Sequence, residues 1–209
     1  MADCPPFRRW KEQYQAAEHE KRGEAIPVEP DEDEISPLES MQKADHELRG
    51  ALEDELLQAV MQKDPYFFEH LVGRLLVAMG YGESLESTAM VTAKSGDEGI
   101  DGIVKEDRLG FDNIYYQAKR WDLDRTVSRP DLQAFVGALS GKGASKGLFI
   151  TTASFSRGAR EYAEGLKSQR LVLVDGKALA GMMIDYGVGV STVATYSVRS
   201  LDSDFFADE

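Results

Sequence analysis

A single cysteine, Cys4, occurs in the 209 residues. No disulfide can therefore close within the chain, and no cysteine-rich zinc site can be built. Histidine is nearly as scarce: His19, His46 and His70 lie in helical or polar stretches and show none of the spacings of metal-ligating pairs. No apolar run reaches the roughly 18 residues that a bilayer-spanning helix needs. The opening residues MADCPPFRRWKEQ also lack the apolar stretch of a secretory signal. Together these absences predict a protein of a reducing compartment, the cytoplasm, with no membrane partner. A basic excess is missing too, since the formal net charge is −13, which taken alone argues against a polyanionic partner.

The distribution of that charge softens the objection without turning composition into an argument for DNA. Residues 1–64 hold 17 acids and 8 bases, and residues 199–209 hold 4 acids and 1 base. The remaining 65–198 hold 16 acids and 15 bases and are close to neutral. Between Lys119 and Lys146 six bases face three acids, enough for a local cationic groove. Four of the seven prolines and the acidic run EPDEDE fall before residue 36. We therefore expect residues 1–34 to form a solvated, weakly structured acidic arm, with a short helix around Phe7–Glu20.

Strong helix formers fill 37–62, with Leu48, Leu52, Leu56, Ala59 and Val60 as an apolar stripe. Such a stripe must be covered, either by docking on the following domain or by a second copy in a homodimer. Asp64-Pro65 then reads as N-cap and first helical residue of a helix ending near Met79, before Gly80. Strand-like segments follow at about 88–93, 100–106 and 113–120, the last two joined by the turn-rich DRLGFDN in the manner of a hairpin. A helix from Pro130 to Leu139, the apolar strand GLFITT (147–152), a helix from Ser156 to about Lys167 and the strand RLVLVD (170–175) come next. A helix from Lys177 to Asp185 and an alternating strand STVATYSV (191–198) close the pattern. An antiparallel meander followed by strands alternating with helices predicts an α/β fold with a central mixed sheet. The expected domains are the arm 1–34, a connecting helix 35–64, a catalytic domain 65–198 and an acidic tail 199–209.

One constellation in this framework points to chemistry. GDEGIDGIV (96–104) places Asp101 at the start of one hairpin strand, and IYYQAKRW (114–121) places Gln117 and Lys119 two apart on the other, hence on one face. A carboxylate, an amide oxygen and an ammonium at one spot suit a hard divalent cation and the stabilisation of phosphate charge. Glu69, bordering the apolar face of its helix, is a fourth member, since a carboxylate there gains from a cation partner. Ordinary explanations also exist. GDEGIDG has the composition of a turn, Gln117 and Lys119 could form an exposed strand face, and Glu69 could point to solvent.

The segments DPYFFEHLVGRLLVAMGYG (64–82), GDEGIDGIV, YYQAKRW, RPDLQAFVGAL (129–139), GLFITTASFS (147–156) and VLVDGKALAGMMIDYGVGV (172–190) resemble the Mrr-type restriction endonuclease catalytic domain. That family belongs to the PD-(D/E)XK nuclease superfamily, in the variant where Gln replaces the second acid. The likeness runs from about Ile35 to Phe206, with motifs matching in type, order and spacing. It implies a restriction-endonuclease-like fold and a Mg²⁺-dependent DNA endonuclease, Mn²⁺ being the natural substitute. The resemblance carries the family's helix carboxylate onto Glu69, its metal-binding Asp onto Asp101, its Gln onto Gln117 and its catalytic Lys onto Lys119. Gln133 matches a helix Gln that follows the hairpin. Glu98 departs from the family's pattern, standing where a Gly is usual, with Asp97 beside it. The winged-helix domain that usually precedes this module is longer and less acidic than residues 1–34.

Under this reading Asp101, Gln117 and Glu69 hold the metal, and Lys119 stabilises the reacting phosphate. Arg120, Arg125, Arg129, Gln133, Lys142, Lys146 and Arg157 are the expected DNA contacts. Thr151, Thr152 and Ser154 could bind phosphate ahead of a helix N-terminus or simply form its turn. The rival readings are a binding module that keeps the nuclease fold with little turnover, and a nuclease for DNA junctions or repair.

Overall fold

The computed structural model describes residues 35–82, 99–107, 109, 111–203 and 205–206. The expected arm, its short helix, the strand at 88–93 and the positions of Asp97 and Glu98 lie outside the described residues. The chain divides into two compact units, Met1–His46 and Glu47–Glu209. Of the first, only 35–46 are described, and all of these are exposed. Among the described residues no helix is long and apolar enough to cross a membrane.

Helix α1 (Pro37–Met61) begins at a reciprocal cap. Ser36 N donates to Glu39 Oε2 at 2.8 Å and Glu39 N donates to Ser36 Oγ at 3.2 Å. Within the second unit α1 docks through Leu56 and Val60, both buried, and through Arg49, whose Nη1 meets Asp185 Oδ1 at 2.8 Å. The expected stripe is shifted in consequence: Leu48 is 73% exposed and Ala59 is exposed as well. Only the face that turns toward the sheet finds a partner. Helix α2 (Pro65–Ala78) follows with the cap read from sequence, Phe67 N donating to Asp64 Oδ1 at 2.8 Å and Pro65 opening the first turn. It buries Phe68, Leu71, Val72, Leu75 and Leu76.

Strands β1 (Gly102–Lys105) and β2 (Asn113–Lys119) pair antiparallel, as the hairpin predicts. The chain continues through β3 (Thr126–Val127), α3 (Arg129–Gly141), β4 (Lys146–Thr151), β5 (Ser154–Phe155), α4 (Arg157–Glu164), β6 (Arg170–Val174) and α5 (Gly176–Asp185). The sheet order is β1-β2-β4-β6, with β2, β4 and β6 parallel, and β3 and β5 form a separate parallel pair. This is the mixed α/β sheet expected. Alternation along the strands splits the core between its faces. Tyr116, Ala118, Leu148 and Ile150 join Phe68, Val72 and Leu179 on one side. Phe149, Leu171 and Leu173 join Leu132, Phe135 and Leu139 on the other.

Two expectations are corrected. Helix α4 stops at Glu164 with Gly165 as its cap, three residues short of Lys167, because the chain must turn into β6. The alternating segment 191–198 forms no strand. It is exposed throughout, with Val193 98% and Tyr196 82% accessible. Alternation supplies two faces but no ladder partner, and a strand needs both.

Candidate active site

The hairpin and the first turns of α2 bring the four predicted residues into one neighbourhood. Asp101 stands just before β1, its N–H donating to Tyr116 O at 2.9 Å. Its carboxylate turns toward β2, where Oδ2 accepts from Ala118 N–H at 2.7 Å. Ala118 lies between Gln117 and Lys119, so this one bond sets the carboxylate beside both and leaves Oδ1 uncommitted to it. Gln117 is 7% exposed, one of three buried polar residues among the described residues. Its amide also limits the approach of the preceding loop. A Cβ at Gly99 would lie 3.1 Å from Gln117 Nε2, and Gly99 has φ +100°, a conformation open to glycine.

Glu69 is half-buried on α2 and feels the same cluster. Burial raises its pKa above the ordinary carboxylate range, the Asp101 charge raises it further, and Lys119 and His70 oppose the rise. Tyr116, on the other side of β2, has its phenol pushed up to about 12 by burial and by the charges of Asp101 and Glu69. Its ring lies where a Cβ on residue 102 would stand, 2.4 Å away, so Gly102 is the residue that lets Tyr116 pack beneath the site. Sequence reasoning passed over Gly102 and Tyr116. The signal available was a glycine directly after the acidic residue of the motif.

The donor set fits a hard cation. Asp101 and Glu69 offer carboxylate oxygens and Gln117 an amide oxygen. The raised pKa of Glu69 marks a place where added positive charge would be welcome. Among the described residues no three His, Cys, Asp or Glu side chains come together. Among the described residues the candidate donors are these two carboxylates and the amide.

The expected DNA-contacting residues fall into different places. The C-terminal ends of β2 and β4 lie together, Lys119 opposite Thr151. The segments leaving them carry Arg125, Arg129 and Arg157, all exposed. The Arg125 guanidinium stacks 3.6 Å over the Trp121 ring and that of Arg129 stands 5.1 Å from Tyr162. Arg157 pairs with Glu161 at 2.6 Å. Gln133 is exposed one turn into α3. Arg120 instead turns inward, its Nη1 donating to Met61 O at the end of α1 at 3.1 Å. Its Nε is buried with no partner among the described residues. Lys142 and Lys146 follow the end of α3, about 20 Å of helix from Arg129. Lys146 opens β4 at the sheet's other end, paired with Glu106 and with Asp112 at 2.9 Å.

Thr151 and Thr152 are 0% and 2% exposed, which settles between the two uses the sequence left open. Thr151 Oγ1 donates to Lys119 O at 2.8 Å, and Thr152 Oγ1 donates to Trp121 O. Their hydroxyls fasten the chain leaving β2 and have no face toward a phosphate. Ser154 is exposed and joins the same seam, its N–H donating to Arg125 O at 3.3 Å.

The chain is similar to several known proteins. The family model described as "Restriction endonuclease" (Mrr_cat) matches residues 60–183. The Type IV methyl-directed restriction enzyme EcoKMrr of Escherichia coli (strain K12) is 43% identical over 180 residues, 85% of this chain and 57% of that protein. The chain thus spans little more than half the length of this curated relative. Among solved structures, the MspJI restriction endonuclease in complex with a 27-mer oligonucleotide aligns with a TM-score of 0.50 and 25% identity, over 64% of this chain and 31% of that one. The DNA modification-dependent restriction endonuclease AspBHI aligns with a TM-score of 0.48 and 17% identity, over 67% and 36%.

Proposed function

Because the chain belongs to the Mrr-type restriction endonuclease catalytic-domain family, we propose that it is a divalent-metal-dependent endonuclease that hydrolyses DNA phosphodiester bonds. The observation that carries this reading is the bond from Ala118 N–H to Asp101 Oδ2. It holds the carboxylate against the strand segment that carries Gln117 and Lys119, and Glu69 lies near enough to feel the charges of Asp101 and Lys119. Asp101, Gln117 and Glu69 hold the cation, Mg²⁺ or Mn²⁺. The bound ion supplies charge neutralisation at the scissile phosphate and a more acidic water.

The side chains then have separate tasks. Lys119 carries a compact positive charge to the phosphate oxygen that gains negative charge, and donates to the attacking water. Asp101, with one oxygen tied to the backbone, keeps a fixed orientation. Arg125, Arg129, Gln133 and Arg157, around the same end of the sheet, contact the DNA backbone. Arg120 supports the site from within, and Lys142 and Lys146, about 20 Å of helix from Arg129, would meet a bound duplex farther along its backbone. The curated relative is described as methyl-directed, and we extend that preference to this chain as part of the proposal, acting in the cytoplasm where DNA is met.

Matched methylated and unmethylated plasmids, incubated with Mg²⁺, Mn²⁺, Ca²⁺ or excess EDTA, test the reading. Nicking or linearisation with Mg²⁺ or Mn²⁺, lost in EDTA and in Lys119→Ala, is the expected result. Undiminished cleavage in EDTA removes the metal, and a Lys119→Ala variant as fast as the wild type removes the lysine.

A further inference from the structure

Strand β2 ends at Lys119, the last of its residues paired with β4, beyond which the ladder stops. The Lys119 carbonyl is nonetheless held by three donors. Trp121 N–H reaches it at 3.1 Å and Thr152 N–H at 3.3 Å. The shortest of the three, at 2.8 Å, comes from the Thr151 hydroxyl. That hydroxyl is itself committed on both sides, since Oγ1 also accepts from Ala153 N–H at 3.1 Å. Thr151 is fully buried and is the β4 residue directly opposite Lys119.

We infer that Thr151 is a positioning residue for phosphodiester cleavage, its hydroxyl fixing the Lys119 peptide so that the ammonium meets the scissile phosphate. The inference rests on the role proposed above for Lys119. The carbonyl direction sets the backbone torsion of Lys119, and the long side chain amplifies any rotation there. A displacement of about 1 Å at a reacting centre can cost about a hundredfold in rate. The residue type suits the task, since a buried strand position favours a β-branched side chain and the two hydrogen bonds need a hydroxyl. Valine keeps the shape without the hydroxyl, and serine keeps the hydroxyl without the methyl.

The test compares wild type, Thr151→Val, Thr151→Ser and Lys119→Ala on plasmid DNA with Mg²⁺, measuring kcat, KM and Tm, with kinetics taken well below each Tm. In Thr151→Val, kcat falls at least about tenfold while KM stays within about twofold, since the lysine is misplaced and the DNA-contacting surface is intact. Thr151→Ser restores most of kcat. Should Thr151→Val fail to fold, Thr151→Cys takes its place, its weak S–H donor giving a rate between those of Ser and Lys119→Ala. A lowered Tm with wild-type kcat, or a serine variant as slow as valine, overturns the inference. An active Lys119→Ala overturns the lysine's role itself. An inactive Lys119→Ala beside a fully active Thr151→Val overturns only the role of Thr151.

Discussion

Glu69, one of the residues proposed for the site, is held in an environment that disfavours its charge. Burial and the neighbouring Asp101 raise its pKa, so the ionised form is destabilised in the folded protein. Below the pKa of an unfolded glutamate both states are protonated and nothing is lost. As pH rises through the folded pKa the cost appears, and it persists at neutral pH. Glu69→Gln, a neutral stand-in, is therefore expected to raise Tm at pH 8 without divalent ions, with the gain gone below about pH 4. Mg²⁺ is expected to raise the Tm of the wild type more than that of the variant. Thermal melts across pH, with and without Mg²⁺, check both, and an equal gain at every pH would tie the effect to packing. Gln117 offers the converse test. Gln117→Glu adds a carboxylate beside Asp101, as most nucleases of the superfamily carry there, so metal binding and at least partial cleavage are expected to survive. Gln117→Leu is expected to lose both. A folded but inactive Glu variant would assign a role to the amide NH₂.

At the scale of elements, the hairpin, α2 and the β2–β4 pair do the positioning. Each was readable from short signals: Asp64-Pro65 at the start of α2, the turn-rich 107–113, and the apolar GLFITT of β4. The seam that fastens 120–128 onto 151–156 was not readable, because β3 and β5 are two residues each and carry no period. Helix α1 lies between these cases. Its periodicity marks a helix, but Leu48 and Leu56 are equivalent in sequence and opposite in fact, 73% and 7% exposed. Leu56→Ala is expected to destabilise by about 2–5 kcal/mol and Leu48→Ala by less than about 0.5 kcal/mol. Denaturant unfolding measures both, and equal losses would mean that Leu48 is also covered in solution.

For the whole molecule the net charge of −13 is the feature least like a DNA-binding protein. Most of it stands at the two ends of the chain, and residues 1–34 alone hold ten acids and five bases. At about 0.15 M salt such charges act over about 8 Å, and further as salt is lowered. Removing residues 1–34 is expected to leave DNA affinity equal or higher, most clearly at low salt, as read by fluorescence anisotropy with a labelled duplex. A marked loss of affinity would make that segment a DNA contact.

The sequence by itself determined the α/β order, the hairpin and the helix caps, and it supplied the candidate residues for a cation site. These depend on local propensity, on the two-residue period of a strand and on side-chain chemistry, all of which are written in adjacent residues. It also carried the family's pattern, which the match over 60–183 bears out. Only the tertiary structure decided where each of several equivalent residues came to lie. Arg120 and Arg125 are both arginines after the same strand, yet one caps α1 and the other lies exposed on Trp121. Thr151 could have met a phosphate or a carbonyl, and the parallel register of β2 and β4 placed Lys119 O against it. The segment 191–198 has the alternation of a strand but forms none, with no ladder partner among the described residues. For Arg120 and Thr151 the deciding contact joins residues far apart in the chain, and the local pattern that makes a side chain suitable does not choose its neighbour.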